Sequence, residues 1–309
     1  MRCVRLITVV LLFGVIQQHI HSVEITKKEK HQIQMVASHQ ARSLQPGEVV
    51  LLAVTTSVPA ATVSATVFRN EVWFYQSDDK NVWRGLLGID LTTDPGDYSI
   101  ALRATTTNGM AINSHYTLTV LPKEFPTRKL TVAPKYVSPP VDVLERIKLE
   151  SQKVSRIFDS SLQQKLWNGP FVRPVPGKAT SSFGSRSILN GLPRSPHRGT
   201  DFRASEGTPI AAPNGGKVVL SEDLYYSGNC VILDHGWGLF SHFAHLSRLL
   251  VGEGDTVIPG QVIGDVGSTG RVTGPHLHWS MRLNGARVDP LSLMAVLLLE
   301  PLALEKSDQ

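Results

Sequence analysis

Short β-rich segments, each followed by a turn signal, constrain the fold of this chain more than any other feature. Six of them occur within residues 45–122. Alternating apolar side chains, as at Val63, Ala65 and Val67, turn one face of a strand towards a core. Asn108-Gly109 is a strong hairpin signal. The pattern predicts a small immunoglobulin-like β-sandwich over residues 45–122. The predicted strands are residues 48–54, 62–68, 72–75, 85–89, 98–102 and 116–120.

Four aromatic residues in this region, Trp73, Phe74, Tyr75 and Trp83, allow two interpretations. They could form a platform for a glycan ligand, or they could fill the core of the sandwich. Aromatic side chains usually fill the interior of small sandwiches. We therefore expect core positions for them.

The first 22 residues have the form of a signal peptide. Arg2 and Arg5 precede an apolar run over residues 6–16. This run is short for a membrane span, so export to the periplasm or cell envelope is expected, with an uncleaved N-terminal tether as the alternative. Residues 23–44 form a separate N-terminal segment.

Residues 123–170 are expected to connect the sandwich to the rest of the chain. A proline-rich stretch is followed by apolar residues at three- and four-residue spacing, which predicts an amphipathic helix of about six turns. Asn168-Gly169-Pro170 would end it. Because the apolar stripe must be covered, we expect the helix to pack on one or both domains. The stripe consists of Leu144, Ile147, Val154, Ile157, Phe158, Leu162 and Leu166.

Residues 171–292 again read as strands and glycine turns, and they carry three histidine motifs. His276 and His278 are two residues apart, so on a strand both imidazoles point to one face. His197 and Asp201 add a nitrogen and a carboxylate oxygen, both of which zinc accepts. Such a set leaves a fourth tetrahedral position for water, whose pKa zinc lowers to about 7.

The order of motifs in this region is specific to one family. Phe183-Gly-Ser-Arg186, His197-Arg-Gly-Thr-Asp201, Ala244-His-Leu-Ser247 and the stretch from Gly267 to His278 follow one another along the chain. This order resembles the M23 zinc metallopeptidases, the lysostaphin-like peptidoglycan endopeptidases. The resemblance implies a C-terminal antiparallel β-sheet peptidase domain over residues 171–292, and a mainly β fold for the whole chain. Exported members of that family often have an N-terminal β-domain.

The resemblance also implies a role for each residue of the site. His197, Asp201 and His278 would bind one Zn²⁺, and His245 and His276 would be the catalytic pair, with either of them as the general base. Strand alternation adds an expectation for His242, which would point away from the metal.

Two further residues of this domain are given structural roles. We expect His235 to be a hydrogen-bonded turn residue. Cys230, the only cysteine left after signal removal, would be part of a strand core.

We expect an exported zinc endopeptidase that hydrolyses peptide crosslinks of peptidoglycan. The alternative is a non-catalytic protein that binds peptidoglycan or activates another wall hydrolase. The net charge of +5 is spread along the chain rather than clustered, which argues against nucleic-acid binding. No permanent membrane span is expected. The leucine-rich tail, residues 293–309, is interrupted by Glu300 and Pro301 and is expected to dock on the peptidase domain as a helix.

Overall fold

The computed structural model describes residues 34–131, 138–193 and 195–298. The predicted signal peptide therefore lies outside the described residues. The described chain is mainly β, as predicted, with two α-helices. Neither described helix has the length and apolar character needed to cross a membrane.

The N-terminal unit contains seven strands: β1 (Met35–Ala41), β2 (Val49–Thr56), β3 (Ala60–Val67), β4 (Asn70–Gln76), β5 (Val82–Gly88), β6 (Gly96–Thr106) and β7 (Ala111–Val120). Their order across the sheet is β1-β2-β5-β4-β3-β6-β7. The first part of β4 pairs with β3 and its last part with β5, so one strand joins the two halves. The halves enclose an apolar cluster that includes Leu52, Ile100 and Leu118. Each predicted segment forms a strand, and β1 precedes the range predicted for the sandwich.

The aromatic residues of β4 divide between the two faces of the strand. Phe74 is buried in the sandwich, as is Trp83 on the neighbouring strand β5. Trp73 points the other way and is 36% exposed, so the expectation of a core position is wrong for it. Tyr75, on the same face as Trp73, stacks on Trp237 of the second unit, with ring centroids 6.1 Å apart.

The connecting segment contains a short strand, β8 (Thr127–Leu130), and the helix α1 (Leu144–Phe158). The predicted helix was longer, about six turns, and should have ended near residue 168. Its early end has a visible cause, because the carboxylate of Asp234 accepts hydrogen bonds from the backbone N–H of Leu162 and the hydroxyl of Ser161, both at 2.8 Å. This tertiary contact draws the chain out of the helical path.

The second unit contains the remaining strands: β9 (Ala179–Ser181), β10 (Arg186–Leu189), β11 (Leu192–Pro193), β12 (Gly199–Phe202), β13 (Pro209–Ala211), β14 (Gly216–Leu224), β15 (Gly228–Gly236), β16 (Leu239–Leu249), β17 (Thr256–Val257), β18 (Val262–Val266), β19 (Leu277–Leu283) and β20 (Ala286–Val288). Its main sheet has the order β17-β14-β15-β16-β19-β12-β9. Apolar side chains such as Phe243 and Trp279 cover one face, which packs into the core. The opposite face of β16, β19 and β12 carries the polar residues described below.

Strand β2 contributes side chains to the cores of both units. Val50 and Leu52 point into the sandwich, whereas Val49 and Leu51 belong to the apolar cluster of the second unit. Both faces of β2 are therefore buried, which explains why its sequence is a continuous apolar run rather than an alternating pattern.

A second helix, α2 (Pro290–Leu298), lies at the same boundary. It contacts β1 and β2 of the first unit as well as β12 and β19 of the second. The Ser292 hydroxyl accepts a hydrogen bond from Val49 N and donates one to the Glu48 carboxylate, both at 2.8 Å. The leucine-rich segment thus docks as a helix on both units, and the predicted tail beyond residue 298 lies outside the described residues.

Candidate metal centre

The three predicted ligands converge on the polar face of the main sheet. Asp201 and His278 are directly opposite each other on β12 and β19. His278 Nδ1 lies 2.8 Å from Asp201 Oδ1, and His197 Nε2 lies 3.1 Å from both of these atoms. All three potential ligand atoms lie within 4.8 Å of one another. The fold therefore brings together the three residues that the resemblance implies as metal ligands, and their ligand roles stay a prediction.

The electrostatics of this cluster keep its carboxylate ionised. Burial raises the pKa of Asp201, but hydrogen bonds from His197 and His278 outweigh that effect and hold the pKa well below its usual range. Burial lowers the pKa of His278 in turn, so its imidazole is neutral near pH 7. An anionic oxygen beside neutral imidazole is the protonation state that a divalent cation requires.

Gly199 leaves room for the ring of His278 because it has no side chain. A Cβ at position 199 would lie 2.8 Å from both Cε1 and Nε2 of that ring and 2.6 Å from the carbonyl oxygen of Trp279. Real Cβ contacts of that length do not occur, so any side chain here would push the imidazole away from Asp201. The glycine between His197 and Asp201 thus serves close packing at the start of β12.

The two predicted catalytic histidines lie beside the cluster. The rings of His245 and His276 are 5.1 Å apart between centroids, and His245 is 5.9 Å from His278. His245 Nδ1 donates to the carbonyl of Thr269 at 2.9 Å, and His276 Nδ1 donates to that of Gly274 at 2.8 Å. A carbonyl can only accept, so each neutral ring keeps its proton on Nδ1 and has a lone pair on Nε2. The Nε2 of His276 is 3.7 Å from Asp201 Oδ1.

His245 reaches this position through an irregularity in β16. Its backbone has φ of +70°, in the left-handed region that few residues other than glycine adopt. The pairing of β15 with β16 shifts register at the same point, between Asn229 and Val231. The extra residue is a β-bulge, and such bulges re-aim a side chain.

The bulge overturns the expectation for His242. Ala244 is directly opposite His278, and His242 is directly opposite Ser280, so all four residues are on the polar face of the sheet. His242 therefore shares the face of the candidate ligands, and simple alternation from His245 gave the wrong side. Its Nε2 is buried and, among the described residues, has no hydrogen-bond partner. Burial, with smaller contributions from His278 and Arg282, lowers the pKa of His242 to about 3.

His235 and Cys230 have structural roles, as expected. His235 lies near the end of β15 rather than in a turn and is fully buried. Its ring is held between the carbonyl of Gly215 at 2.6 Å and the hydroxyl of Ser241 at 2.9 Å. Cys230 is also fully buried, and burial raises the pKa of its thiol far above the ordinary value.

Thr269 is a supporting residue that sequence reasoning missed. Its carbonyl holds His245, while its hydroxyl donates to Leu246 O at 2.8 Å and accepts from Asn229 N at 3.0 Å. It thereby ties the loop that precedes His276 to both strands at the bulge. A contact through a backbone carbonyl leaves no signature in the side chains, so the sequence could not indicate this role of Thr269.

Helix α1 covers part of the polar face. Val154, Ile157 and Phe158 pack on an apolar patch of that face, which includes Phe240 and Ala244 of β16. The rings of Phe158 and Phe240 meet edge to face at 5.3 Å. No residue of the helix is fully buried, so α1 is a partial cover rather than part of the core.

Comparison with known proteins decides the family. The family model described as peptidase family M23 matches residues 195–290. A crystal structure of an M23-family protein from Pseudomonas aeruginosa covers 83% of this chain and is itself covered over 97% of its length, with 32% identity and a TM-score of 0.65. The chain belongs to peptidase family M23. The similarity to this M23 protein extends over both units.

Curated M23 relatives are similar over the peptidase region. Peptidoglycan DD-endopeptidase ShyA of Vibrio cholerae is 43% identical over 121 residues, which are 38% of this chain and 28% of the relative. DD-carboxypeptidase/endopeptidase Mpg of Neisseria meningitidis is 44% identical over 97 residues, 31% of this chain and 22% of the relative. The chain thus spans about a quarter of the length of the curated relatives it matches.

Proposed function

We propose that this protein is an exported zinc metalloendopeptidase that hydrolyses peptide crosslinks of peptidoglycan. The observation that carries the proposal is the convergence of His197, Asp201 and His278, with the lone pairs of two further histidines beside them. Family membership supports the peptidase chemistry. The substrate is supported by the relatives named peptidoglycan DD-endopeptidase and DD-carboxypeptidase/endopeptidase.

The residues of the cluster fit zinc. Ligands held tetrahedrally at about 2.0–2.1 Å lie about 3.3 Å from one another. The observed separations of 2.8 and 3.1 Å would therefore open by only a few tenths of an ångström. When His197 Nε2 is a ligand, its Nδ1 proton faces the carbonyl of Ser182 at 3.2 Å. A carbonyl in that position is the usual outer partner of a metal-bound imidazole.

The site residues would have two roles, which are metal binding and proton transfer. Zinc bound at this cluster would supply a Lewis acid for the scissile carbonyl and lower the pKa of a coordinated water to about 7. His245 and His276 each present an Nε2 lone pair, so either can accept a proton from the attacking water. The ring that becomes protonated can then donate to the developing oxyanion or to the leaving amine. Burial, together with the neighbours His278 and His276, lowers the pKa of His245 to about 3, which keeps it neutral at rest.

The location follows from the substrate. Peptidoglycan lies outside the cytoplasmic membrane, and the proposed leader in residues 1–22 would direct export. N-terminal sequencing of the protein recovered from the envelope fraction tests this part of the proposal. A mature chain that still begins at Met1 would contradict cleavage.

Zinc content and wall hydrolysis, measured together, test the main proposal. The purified protein should contain one zinc, and a chelator should abolish release of soluble muropeptides from sacculi. His278→Ala should lose both zinc and activity. His276→Ala and His245→Ala should keep the metal and lose about two to four orders of magnitude in turnover. His115→Ala, at an exposed position on β7, is the matched control and should retain both properties.

Three results would contradict the scheme. Full hydrolysis by metal-free protein would exclude zinc. Loss of zinc from His276→Ala with retention in His278→Ala would reverse the assigned roles. Zinc binding and sacculus binding without release of fragments would favour the non-catalytic alternative.

A further inference from the structure

The polar face of the sheet continues beyond the candidate metal centre. Along β16 and β19, cross-strand pairs follow one another at two-residue intervals, and the polar members of β19 are His278, Ser280 and Arg282. Each step of two residues is about 6.6–6.8 Å. Arg282 therefore lies about 13 Å along the strand from His278. This distance is the length of about four residues of an extended peptide.

This far end carries an excess of positive charge. Arg282 is directly opposite Arg287 on β20, so the two guanidinium groups share one face. Arg287 is already committed to Asp90 of the N-terminal unit through a pair of hydrogen bonds of 2.5 and 2.9 Å. Arg198, just before β12, lies near enough to Arg282 to affect its pKa. Among the described residues, Asp90 is the carboxylate whose negative charge acts on all three of these arginines.

Few neighbouring groups offset the positive charge of Arg282. It is partly buried, and its side chain donates to the carbonyl of Gly285 at 3.3 Å. Its guanidinium lies 5.3 Å from the centre of the Phe158 ring. Burial and the charges of Arg287 and Arg198 lower the pKa of Arg282 to about 10, so the site disfavours its own cation. An anion bound there would relieve that cost.

His242 supplies a second, independent sign of a missing partner. It is directly opposite Ser280, between the metal centre and Arg282, and its buried Nε2 lacks a hydrogen-bond partner in the described chain. A buried polar atom without a partner costs about 1–3 kcal/mol unless a ligand satisfies it. The unpartnered imidazole nitrogen of His242 and the guanidinium of Arg282 lie on the same face and on the same side of the ligand cluster.

Ordinary surface behaviour accounts less well for these observations. Exposed arginines commonly extend into water, and Arg198 is exposed. Arg282 is only partly exposed, because Phe158 of α1 lies beside its guanidinium and Phe240 is directly opposite it on β16, and the exposed part of the side chain remains open to a ligand. Structural arginines at such positions are normally paired, as Arg287 is.

We propose that Arg282, with Arg198 and His242, forms an anion subsite that binds a carboxylate of the peptide substrate about four residues from the scissile bond. The subsite rests on the proposed function for its substrate class. A guanidinium binds carboxylates through parallel N–H···O bonds, which fix orientation as well as adding affinity. The subsite would set which strand of a crosslinked peptide lies on which side of the metal.

A pair of substrates tests the subsite. The first probe is a synthetic crosslinked peptide with a D-alanyl-diaminopimelate bond and free carboxylates, and the second is the same peptide with those carboxylates converted to amides. Wild-type protein should prefer the free acid by about 10- to 100-fold in kcat/KM, mostly through KM. Arg282→Gln should reduce this preference to within about threefold of one, with unchanged zinc content. The preference should also weaken with added salt.

Two further variants keep the test decisive. Arg198→Gln is at an exposed position and should fold even if Arg282→Gln does not, and it should lower the preference in the same direction. Arg156→Gln removes an exposed arginine from α1 and is the matched control, so it should keep the wild-type preference. The subsite proposal would be overturned if Arg282→Gln lowered kcat/KM equally for both substrates. It would also be overturned if Arg282→Gln and Arg198→Gln both kept the wild-type preference.

Binding measurements separate this proposal from the proposed function. Calorimetric titration of zinc-loaded His245→Ala with each probe reports affinity without turnover. Tighter binding of the free acid, abolished by adding Arg282→Gln, supports the subsite even if wild-type protein hydrolyses neither probe. Hydrolysis of both probes at equal rates, with equal affinities, would retain the peptidase and reject the subsite.

Discussion

Glu48 joins the two units of the protein, and its replacement by glutamine should loosen them measurably. Its side chain is only 3% exposed. The carboxylate accepts two hydrogen bonds from Arg42, at 2.7 and 3.0 Å, and one from Lys123 at 3.2 Å. Arg42 also binds Asp289, beside α2, at 2.7 Å. Glu48→Gln removes the charge while it keeps the shape of the side chain.

The expected loss follows from these contacts. A hydrogen bond to a charged group contributes about 1.5–3 kcal/mol. Glu48→Gln weakens two such bonds from Arg42, whose side chain is 38% exposed and therefore partly screened by solvent. We expect the free energy of unfolding to fall by about 3 kcal/mol.

The pH dependence gives this prediction a second test. Burial raises the pKa of Glu48, but the hydrogen bonds and charge of Arg42 outweigh it and hold the pKa below its usual range. The stabilisation is therefore complete above the unfolded-state pKa of about 4.3, and it is lost as the pH falls through the folded-state value. The difference between wild type and Glu48→Gln should shrink in the same direction.

Urea unfolding of zinc-saturated protein, followed by fluorescence and circular dichroism, measures both effects. The matched control is Glu145→Gln, whose exposed carboxylate lies 3.6 Å from Lys148 and should contribute less than about 0.5 kcal/mol. A loss below about 0.5 kcal/mol for Glu48→Gln at pH 7 would refute the reasoning. So would a difference that grows as the pH falls below 4.

Three further substitutions have defined outcomes. Burial lowers the pKa of the fully buried His235 to about 4, so the unfolded state binds more protons than the folded state between pH 4 and 6.5. The free energy of unfolding should therefore fall by up to about 3 kcal/mol as the pH is lowered from 6.5 to 4, and His235→Asn should flatten this slope in urea titrations. Gly228 has φ of +62°, and a Cβ there would lie 2.2 Å from Thr269 Oγ1. Gly228→Ala should therefore displace the Thr269 carbonyl that holds His245, and it should lower kcat while the zinc content stays at one. An unchanged kcat would contradict the role of the Thr269 loop. Cys230→Ser buries a hydroxyl, which should lower the free energy of unfolding by about 1–3 kcal/mol. The variant should still release muropeptides at the wild-type rate, and a loss of activity in folded protein would indicate thiol chemistry.

The sequence predicted the strands well where apolar residues alternate or run together. β1 was missed because Met35, Ala37 and Ala41 make a weak apolar pattern, which gains its burial only from the rest of the sheet. The end of α1 was misplaced because Asp234, far along the chain, captures the backbone after Ser161. Local propensity carries no information about such long-range contacts.

The candidate site shows the same division between local and long-range information. The ordered motifs and their resemblance to the M23 family selected His197, Asp201 and His278, which do converge. They were not sufficient for His242, because its face depends on a bulge at His245 that strand periodicity cannot reveal. The arginines at the far end of the face were also missed, since Arg198, Arg282 and Arg287 have no common motif.

The apolar strand β2 has a consequence for how this protein can be divided. Its two faces complete two different hydrophobic clusters, so a fragment cut between the units leaves Val49 and Leu51 facing water on one piece and an open groove on the other. Neither fragment would be a self-contained module for expression or for grafting onto another enzyme. Exchange of N-terminal units between members of the family would have to keep the side chains at positions 49 and 51 matched to the recipient, so we expect β2 to change together with the peptidase rather than with the rest of its own sandwich.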